Sequence, residues 1–220
     1  GAITLGWRFF NPRVGLLAGL LVVITPLVFF FDRMALVDTA LAACGIWVIV
    51  LAFSLAQNPT FKTSTLLGYL MGAALLIKTP AMFNFLSLTA SFLLRNPKYR
   101  LLHLLLGWVW AFVTAMVMYN ILRLGPGFLN LSSRNQDYVH PLNRIIEYPL
   151  DPLFPHLRDL IDWWPKMMTP PIFVLVLIGI AWTLLSRQRT ALVLLLWVSI
   201  PLAVELEYLK TFTARYVLSA

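Results

Sequence analysis

The chain alternates between long uncharged stretches and short segments that carry its charges. Seven windows contain no Asp, Glu, Lys or Arg, namely residues 14–31, 39–61, 63–77, 79–94, 101–122, 167–186 and 190–204. A helix of roughly 20 apolar residues, rising about 1.5 Å per residue, crosses the ~30 Å hydrocarbon core of a bilayer. Four windows reach about this length. The windows 63–77, 79–94 and 190–204 are shorter, so we expect their helices to tilt little, to dip or to thin the bilayer.

Composition places the chain in the same class. It is 60% hydrophobic and only 12% charged, which lies outside the mixture typical of soluble domains. The pattern predicts an integral, multi-pass membrane protein with an all-α fold, a polytopic transmembrane helical bundle. Residues 1–220 are expected to form one partial transmembrane domain with stubs of further spans at both termini, because the chain opens on Gly1 and becomes apolar again at its last residues.

The short connectors on one side of the predicted bundle carry basic residues and no acid. They contain Arg8, Arg13, Lys62, Arg95, Lys98, Arg100, Arg187 and Arg189. Because Lys and Arg in short loops favour the cytoplasmic side, the other connectors, which hold all nine acids, are predicted to be extracytoplasmic. This bias explains the formal charge of +8 without a nucleic-acid partner.

The first outer connector brings two acids and an arginine close together. Asp32 and Arg33 follow one apolar window, and Asp38 precedes the next. Two carboxylates oriented by a guanidinium group suit proton transfer. Carboxylates are also ligands for divalent cations, so binding of such a cation is left open. The alternative is structural, because an acid at a helix N-terminus caps the helix and complements its dipole. The spacing alone leaves both interpretations open.

The second outer connector, Lys78-Thr79-Pro80, joins two short windows. Thr79 can cap the next helix and Pro80 fits its first turn, so the sequence specifies a sharp reversal. Because both windows are short, we expect Lys78 at or below the outer membrane boundary, where an ammonium group favours an anionic partner. The alternative is a lysine that snorkels to the headgroups.

The third outer connector, residues 120–170, is much longer than the joining of two helices requires. Its aromatic and aliphatic side chains predict an ordered extracytoplasmic loop. Within it, Leu157, Leu160, Ile161 and Trp164 follow helical spacing, which predicts an amphipathic helix on the membrane surface.

Other polar residues give weaker signals. Arg134, Asp137 and Tyr138 belong to a cluster that suits sugar hydroxyls or a phosphate, or that is simply a polar loop surface. His103 and His156 do not have the spacing of a zinc motif. We therefore predict no zinc site.

Several motifs occur in a fixed order along the chain. They are Arg8 to Arg13 before an apolar window, Pro26 late within it, the run from Arg33 to Asp38, residues 72–81 with Lys78 and Pro80, and Arg215-Tyr216 near the end. In this order and spacing the chain resembles bacterial membrane glycosyltransferases of the dolichyl-phosphate-mannose–protein mannosyltransferase type. It is similar also to the aminoarabinose transferases, so the resemblance implies a fold of the type-C, family 39-like glycosyltransferases.

The resemblance implies transfer of a hexosyl or pentosyl group from a polyprenyl-phosphate carrier to an acceptor protein, lipid or glycan. The active face would be the extracytoplasmic side of a bacterial-type cell membrane. Arg33, Lys78 and Arg215 are then candidates to bind the phosphate, and Asp38 is the acidic catalytic candidate. The candidate contacts to the sugar or the acceptor are Asp32, Arg134, Asp137, Tyr138 and Tyr216.

In the family the principal catalytic acid lies in a large first outer loop, which would precede residue 1, so residues 1–220 alone are expected to be inactive. The chain has Lys78-Thr79-Pro80 where the family commonly has Lys-Gly-Pro, and Ser219 where the Arg-Tyr motif usually has its proline. The alternative function is a transporter or flippase of lipid-linked sugars. A transporter is expected to hold ionisable groups near the bilayer midplane.

Overall fold

The computed structural model describes residues 1–34, 37–128, 130 and 137–213. Within these residues the chain is built from helices and their connectors, with a single antiparallel bridge between Val139 and Leu209. Several of the helices are apolar and long enough to cross a membrane. The predicted all-α, polytopic helical bundle is therefore confirmed.

Eleven α-helices carry the fold of the described residues. They are α1 (Ala2–Phe9), α2 (Pro12–Ile24), α3 (Pro26–Arg33), α4 (Val37–Gln57), α5 (Phe61–Ile77), α6 (Phe83–Leu88), α7 (Leu101–Tyr119), α8 (Leu142–Glu147), α9 (Leu153–Met168), α10 (Pro170–Ser186) and α11 (Arg189–Tyr208). Short 3-10 segments at Thr79–Met82 and Thr89–Leu94 extend α6 at its two ends, and Asn120–Leu124 extends α7.

The predicted apolar windows fall on helical segments. Three segments, Val37–Gln57, Leu101–Leu124 and Arg189–Tyr208, have the length and hydropathy of a membrane span, and two bent pairs, α2 with α3 and α9 with α10, raise the number to five if each pair is one span. Phe61–Ile77 and Thr79–Leu94 are shorter apolar helices. The number of seven spans stays a prediction, because length and composition alone do not assign the shorter helices.

The first window is bent rather than straight. Helices α2 and α3 meet at Thr25 with an angle of 55°. Pro26 causes the break, since proline has no N–H to donate and disfavours a helical conformation in the residue before it. Thr25 is accordingly extended, and its hydroxyl donates to the carbonyl oxygen of Leu21 at 2.5 Å.

The helix that contains the last window is longer than the window itself. The sequence predicts an apolar stretch that ends at residue 204, but α11 continues to Tyr208. Glu205 lies inside this helix and is only 2% exposed. The predicted boundary is wrong because it was set at the first acid, and the tertiary structure buries that acid within the helix.

The core lies where α4, α5, α7 and α11 meet, and Phe53 of α4 is at its centre. The ring of Phe53 lies 5.2 Å from that of Phe9 and 6.1 Å from that of Trp197, both in edge-to-face arrangements. At one end of the bundle, the N–H of Asn96 donates to the carbonyl of Ala56 at 3.1 Å. This bond brings two of the basic connectors to the same end.

Helices α5 and α7 approach closely through small residues. A Cβ atom placed on Gly68 would lie 2.6 Å from Cβ of Thr114 and 2.7 Å from the carbonyl oxygen of Ala111. One turn along, a Cβ on Gly72 would lie 2.8 Å from Cβ of Met118. The Gly-x-x-x-Gly spacing of α5 thus permits backbone contact, which favours helix association where lipid removes the hydrophobic driving force.

Substitution of Gly68 by alanine should destabilise the bundle. The new methyl group has no room, and overpacking of this kind costs about 1–3 kcal/mol. The measurement is thermal unfolding of the detergent-solubilised protein, followed by tryptophan fluorescence.

Gly179→Ala is the matched control, because a Cβ on Gly179 meets no atom within 4 Å among the described residues. This control should be neutral or slightly stabilising, since alanine is the better helix former. Equal stability of Gly68→Ala and Gly179→Ala would contradict the packing.

Candidate functional site

An ion pair joins two helix ends at the opposite end of the bundle from Asn96. Asp38 lies in the first turn of α4, and Lys78 directly follows α5. The ammonium group of Lys78 donates to Oδ1 of Asp38, across 40 positions of sequence. Asp38 is only 1% exposed, whereas 22% of the Lys78 side chain is exposed. Lys78 therefore has an anionic partner, and Asp38 is both an N-terminal acid of α4 and a partner in this pair.

The backbone around Lys78 fixes the direction of its side chain. Its N–H donates to the carbonyl of Ala74 at 3.0 Å, and its own carbonyl accepts from the N–H of Ala81 at 3.1 Å. Lys78 itself is extended, with φ −161° and ψ 138°. Because Pro80 then occupies the first turn of the following 3-10 segment, the chain reverses sharply and leaves Lys78 at the turn.

Lys78 forms part of the wall of a cavity of about 390 Å³, here called the Lys78 pocket. This volume lies in the range typical of small-molecule sites, about 300–1,000 Å³. Three segments of the chain form its wall: the turn after α5, the middle of the long connector, and the end of α11. The lining residues are Lys78, Thr79, Pro80, Met82, Phe83, Tyr138, Val139, Glu205, Tyr208 and Leu209.

Glu205 is the residue that the sequence reasoning missed. It lines the pocket together with Lys78, and both Lys78 and Asp38 lie close enough to act on it electrostatically. Its Oε2 is buried and has no hydrogen-bond partner among the described residues. The available signal was the spacing of Glu205 and Tyr208, which places an acid and a tyrosine one helical turn apart at the end of an apolar window.

Two backbone hydrogen bonds fasten the long connector to the end of α11. The N–H of His140 donates to the carbonyl of Tyr208, and the N–H of Lys210 donates to the carbonyl of Tyr138, both at 2.8 Å. They form the antiparallel bridge between Val139 and Leu209. This bridge holds Tyr138 and Val139 in the pocket wall. Tyr138 precedes Tyr208, the last residue of α11, by 70 positions in the sequence.

Helix α9 supports the same end of α11 from outside the pocket. Leu160 packs with Leu206 and Phe212 in a buried cluster. Nδ1 of His156 lies 2.7 Å from the carbonyl oxygen of Leu206, so this nitrogen carries the hydrogen. Trp163 stacks on Phe212 with ring centroids 5.8 Å apart. The helix is amphipathic. His156 is buried on its protein-facing side, whereas Ile161, which belongs to the predicted apolar face, is 63% exposed.

His140 lies in the long connector, directly after the bridge residue Val139. Partial removal from water lowers the pKa of His140, and the positive charges of Arg144 and Lys210 add to the shift. The imidazole is therefore neutral at pH 7, since its ordinary pKa of about 6.5 is already below that value. A neutral His140 adds no positive charge beside the bridge.

The structure brings only some of the candidate residues together. Asp38 and Lys78 are paired, and Tyr138 shares the Lys78 pocket. Arg33 is exposed at the end of α3, with its guanidinium 4.3 Å from the ring centroid of Phe29, and Asp32 and Asp137 are exposed as well. These three do not line the pocket. Arg134, Arg215 and Tyr216 lie outside the described residues.

A metal site does not emerge from the part of the chain that the structure describes. Within it, no group of three or more His, Cys, Asp or Glu side chains is arranged to hold an ion. Asp38 is instead committed to Lys78. Among the described residues, the pocket wall itself offers the Lys78 ammonium group and the Glu205 carboxyl group, and Asp38 is paired with that ammonium group.

A double-mutant cycle should detect strong coupling between Asp38 and Lys78. Neighbouring residues that share a buried interaction couple by about 0.5–3 kcal/mol. The cycle uses Asp38→Asn, Lys78→Gln and the double variant, with the free energy of unfolding measured in detergent. The exposed pair Asp162–Lys166 on α9 is the control, because such helical surface pairs couple by only about 0.3–0.5 kcal/mol. Coupling at Asp38–Lys78 no larger than in the control would refute the ion pair.

The first 122 residues include a match to a known protein family. The sequence pattern of the dolichyl-phosphate-mannose-protein mannosyltransferase family matches residues 4–122, which include Asp38 and Lys78. The chain has no match among the curated proteins and none among the solved structures. The family match covers more than half of the 220 residues. The chain therefore belongs to the dolichyl-phosphate-mannose-protein mannosyltransferase family, whose members are membrane glycosyltransferases.

Proposed function

We propose that this protein transfers a sugar from a polyprenyl-phosphate carrier to an acceptor on the extracytoplasmic face of the membrane. The observation that carries the proposal is the Asp38–Lys78 ion pair beside a pocket at one end of an apolar helical bundle. Membership of a glycosyltransferase family supplies the reaction class. The pocket supplies a location where a lipid-linked donor can be bound.

The depth of Lys78 suits a lipid phosphate. A polyprenyl-phosphate sugar keeps its chain in the hydrocarbon region and its phosphate at the boundary with water. Lys78 follows Phe61–Ile77, an apolar helix too short to carry it far into water. A cation at this level can meet the phosphate without crossing hydrocarbon. Arg33 and Arg215 remain further candidates for the same phosphate.

The reaction breaks one bond and forms another at the anomeric carbon of the sugar. The acceptor hydroxyl oxygen attacks that carbon as the bond to the phosphate oxygen breaks, and the electron pair leaves with the polyprenyl phosphate. The acceptor proton passes to a carboxylate base. Lys78 stabilises the negative charge that develops on the departing phosphate.

Asp38 acts through Lys78 in this proposal. A carboxylate that is 1% exposed and paired with an ammonium group is poorly placed to take a proton from an incoming acceptor. It can hold the Lys78 ammonium in one position, which lowers the cost of organising the site during the reaction. Asp38 is then a positioning residue rather than the base.

The position of the charged groups favours transfer over transport. Asp38, Lys78 and Glu205 each lie within about one turn of a helix end. A transporter or flippase is expected to use ionisable groups near the bilayer midplane, reached from both sides in turn. Groups at one end of the bundle instead suit a reaction on one face.

Replacement of Lys78 should reduce transfer strongly. For Lys78→Gln we expect kcat/KM to fall by about 10²–10³-fold, the usual loss when one preorganised electrostatic group is removed. Lys78→Arg should keep part of the activity, and Asp38→Asn should lower kcat more than it raises KM for the donor. The assay is sugar transfer by the full-length protein in membranes supplied with radiolabelled lipid-linked sugar.

Lys166→Gln is the control for this series, because Lys166 is exposed on α9 and pairs only with Asp162 among the ion pairs of the described residues. It should behave as the wild type. Wild-type activity in both Lys78→Gln and Asp38→Asn would remove the ion pair from the mechanism.

The sidedness of the site can be tested by labelling. In a Cys44→Ala background, Asp162→Cys on α9 should react with a membrane-impermeant maleimide added to intact cells. Lys98→Cys should react only after the membrane is opened, because the basic connectors are predicted to be cytoplasmic. Labelling in the reverse order would contradict an extracytoplasmic active face.

A further inference from the structure

We propose that Glu205 binds the sugar of the lipid-linked donor, so that the Lys78 pocket holds the sugar with its phosphate directed towards Lys78. The inference rests on the proposed function and identifies the part of the donor that the pocket recognises. Three features of the described residues support it: an unsatisfied buried carboxylate, the distribution of charge along the pocket wall, and the aromatic side chains beside it.

The carboxylate of Glu205 lacks a partner that its burial requires. Glu205 is 2% exposed, and its Oε2 has no hydrogen bond within the described part of the chain. Burial of a polar group without a hydrogen bond is costly, and native proteins satisfy most such groups. Because Glu205 lines a cavity, a ligand that donates hydrogen bonds can satisfy this oxygen. Hydroxyl groups of a sugar are such donors.

The described part of the pocket wall carries one basic and one acidic side chain. Among the described lining residues, Lys78 is the basic one and Glu205 is the acidic one. A phosphate group is attracted by the Lys78 ammonium group, whereas a neutral hydroxyl group can form a hydrogen bond with the Glu205 carboxyl group. A phosphate joined to a sugar matches this arrangement, since its anionic part can lie against Lys78 and its hydroxyl groups against Glu205. Inorganic phosphate or a lipid phosphate alone would leave Glu205 unsatisfied.

The remaining wall suits the amphipathic surface of a sugar ring. Tyr138 and Tyr208 combine an apolar ring with a hydroxyl group, and Phe83 and Met82 add apolar surface. A few polar groups within a mainly apolar wall are typical of sites that orient a small ligand. The bridge between Val139 and Leu209 holds Tyr138 beside the end of α11, the helix that carries Glu205 and Tyr208.

The test compares donors with and without the sugar. The protein in nanodiscs is titrated with short-chain polyprenyl phosphate and with polyprenyl-phosphate mannose, glucose and aminoarabinose, and Kd is measured by direct binding. We expect Glu205→Leu to weaken binding of the preferred sugar-bearing lipid by about 10- to 100-fold, the range for leaving a buried polar group without its hydrogen-bond partner. Binding of polyprenyl phosphate should be unchanged.

Two further variants make the result specific. Glu205→Gln keeps the size and one acceptor of the side chain, so it should fold even if Glu205→Leu does not, and it should weaken binding of the same lipid to a smaller degree. Glu207→Gln is the control, because Glu207 lies on the same helix but does not line the pocket. It should bind every lipid as the wild type does.

The outcomes separate this inference from the proposed function. Equal weakening for the sugar-bearing lipid and for polyprenyl phosphate would overturn the inference, since Glu205 would then only support the shape of the pocket. Unchanged binding in Glu205→Gln would overturn it too, as would a wild type that binds no sugar-bearing lipid better than the bare phosphate. Sugar-dependent binding through Glu205 without any transfer by the full-length wild type would refute the proposed function alone.

Discussion

The ion pair between Asp38 and Lys78 is the interaction on which the candidate site depends. Either charge alone would be costly at the end of an apolar bundle. Together they join the start of α4 to the end of α5 and fix the turn that follows. That turn forms one wall of the Lys78 pocket, and the end of α11 forms another. The local geometry of the site therefore follows from the pairing of two charges that the chain places 40 residues apart.

Packing of small residues makes this pairing possible. Gly68 and Gly72 bring α5 against α7 with backbone contact, and Phe53 and Trp197 lock α4 to α11. Such contacts carry the association of helices in lipid, where apolar surfaces gain nothing by leaving water. With α4, α5 and α11 held rigidly, their ends can present charged side chains at fixed positions, which electrostatic catalysis requires.

The long connector completes the site through backbone rather than side-chain bonds. Its residues 138–140 pair with the chain around Leu209, and α9 covers the outside of the same segment through His156 and Leu160. Residues far apart in sequence therefore form one wall. The end of α11 that these segments pack against is also where Glu205 is buried.

The sequence by itself determined the fold class, the apolar windows and the turn at Lys78-Thr79-Pro80. It also determined the resemblance that the family match confirms. Hydropathy, turn chemistry and motif order can be identified in the sequence without knowledge of the tertiary structure. The sequence indicated that Lys78 needs an anion, but it did not identify Asp38. The bend at Thr25 could have been predicted from Pro26. The burial of Glu205 and its place beside Lys78 were decided only by the tertiary structure, since whether an acid at the end of an apolar window faces water or a pocket depends on which distant segment packs over it.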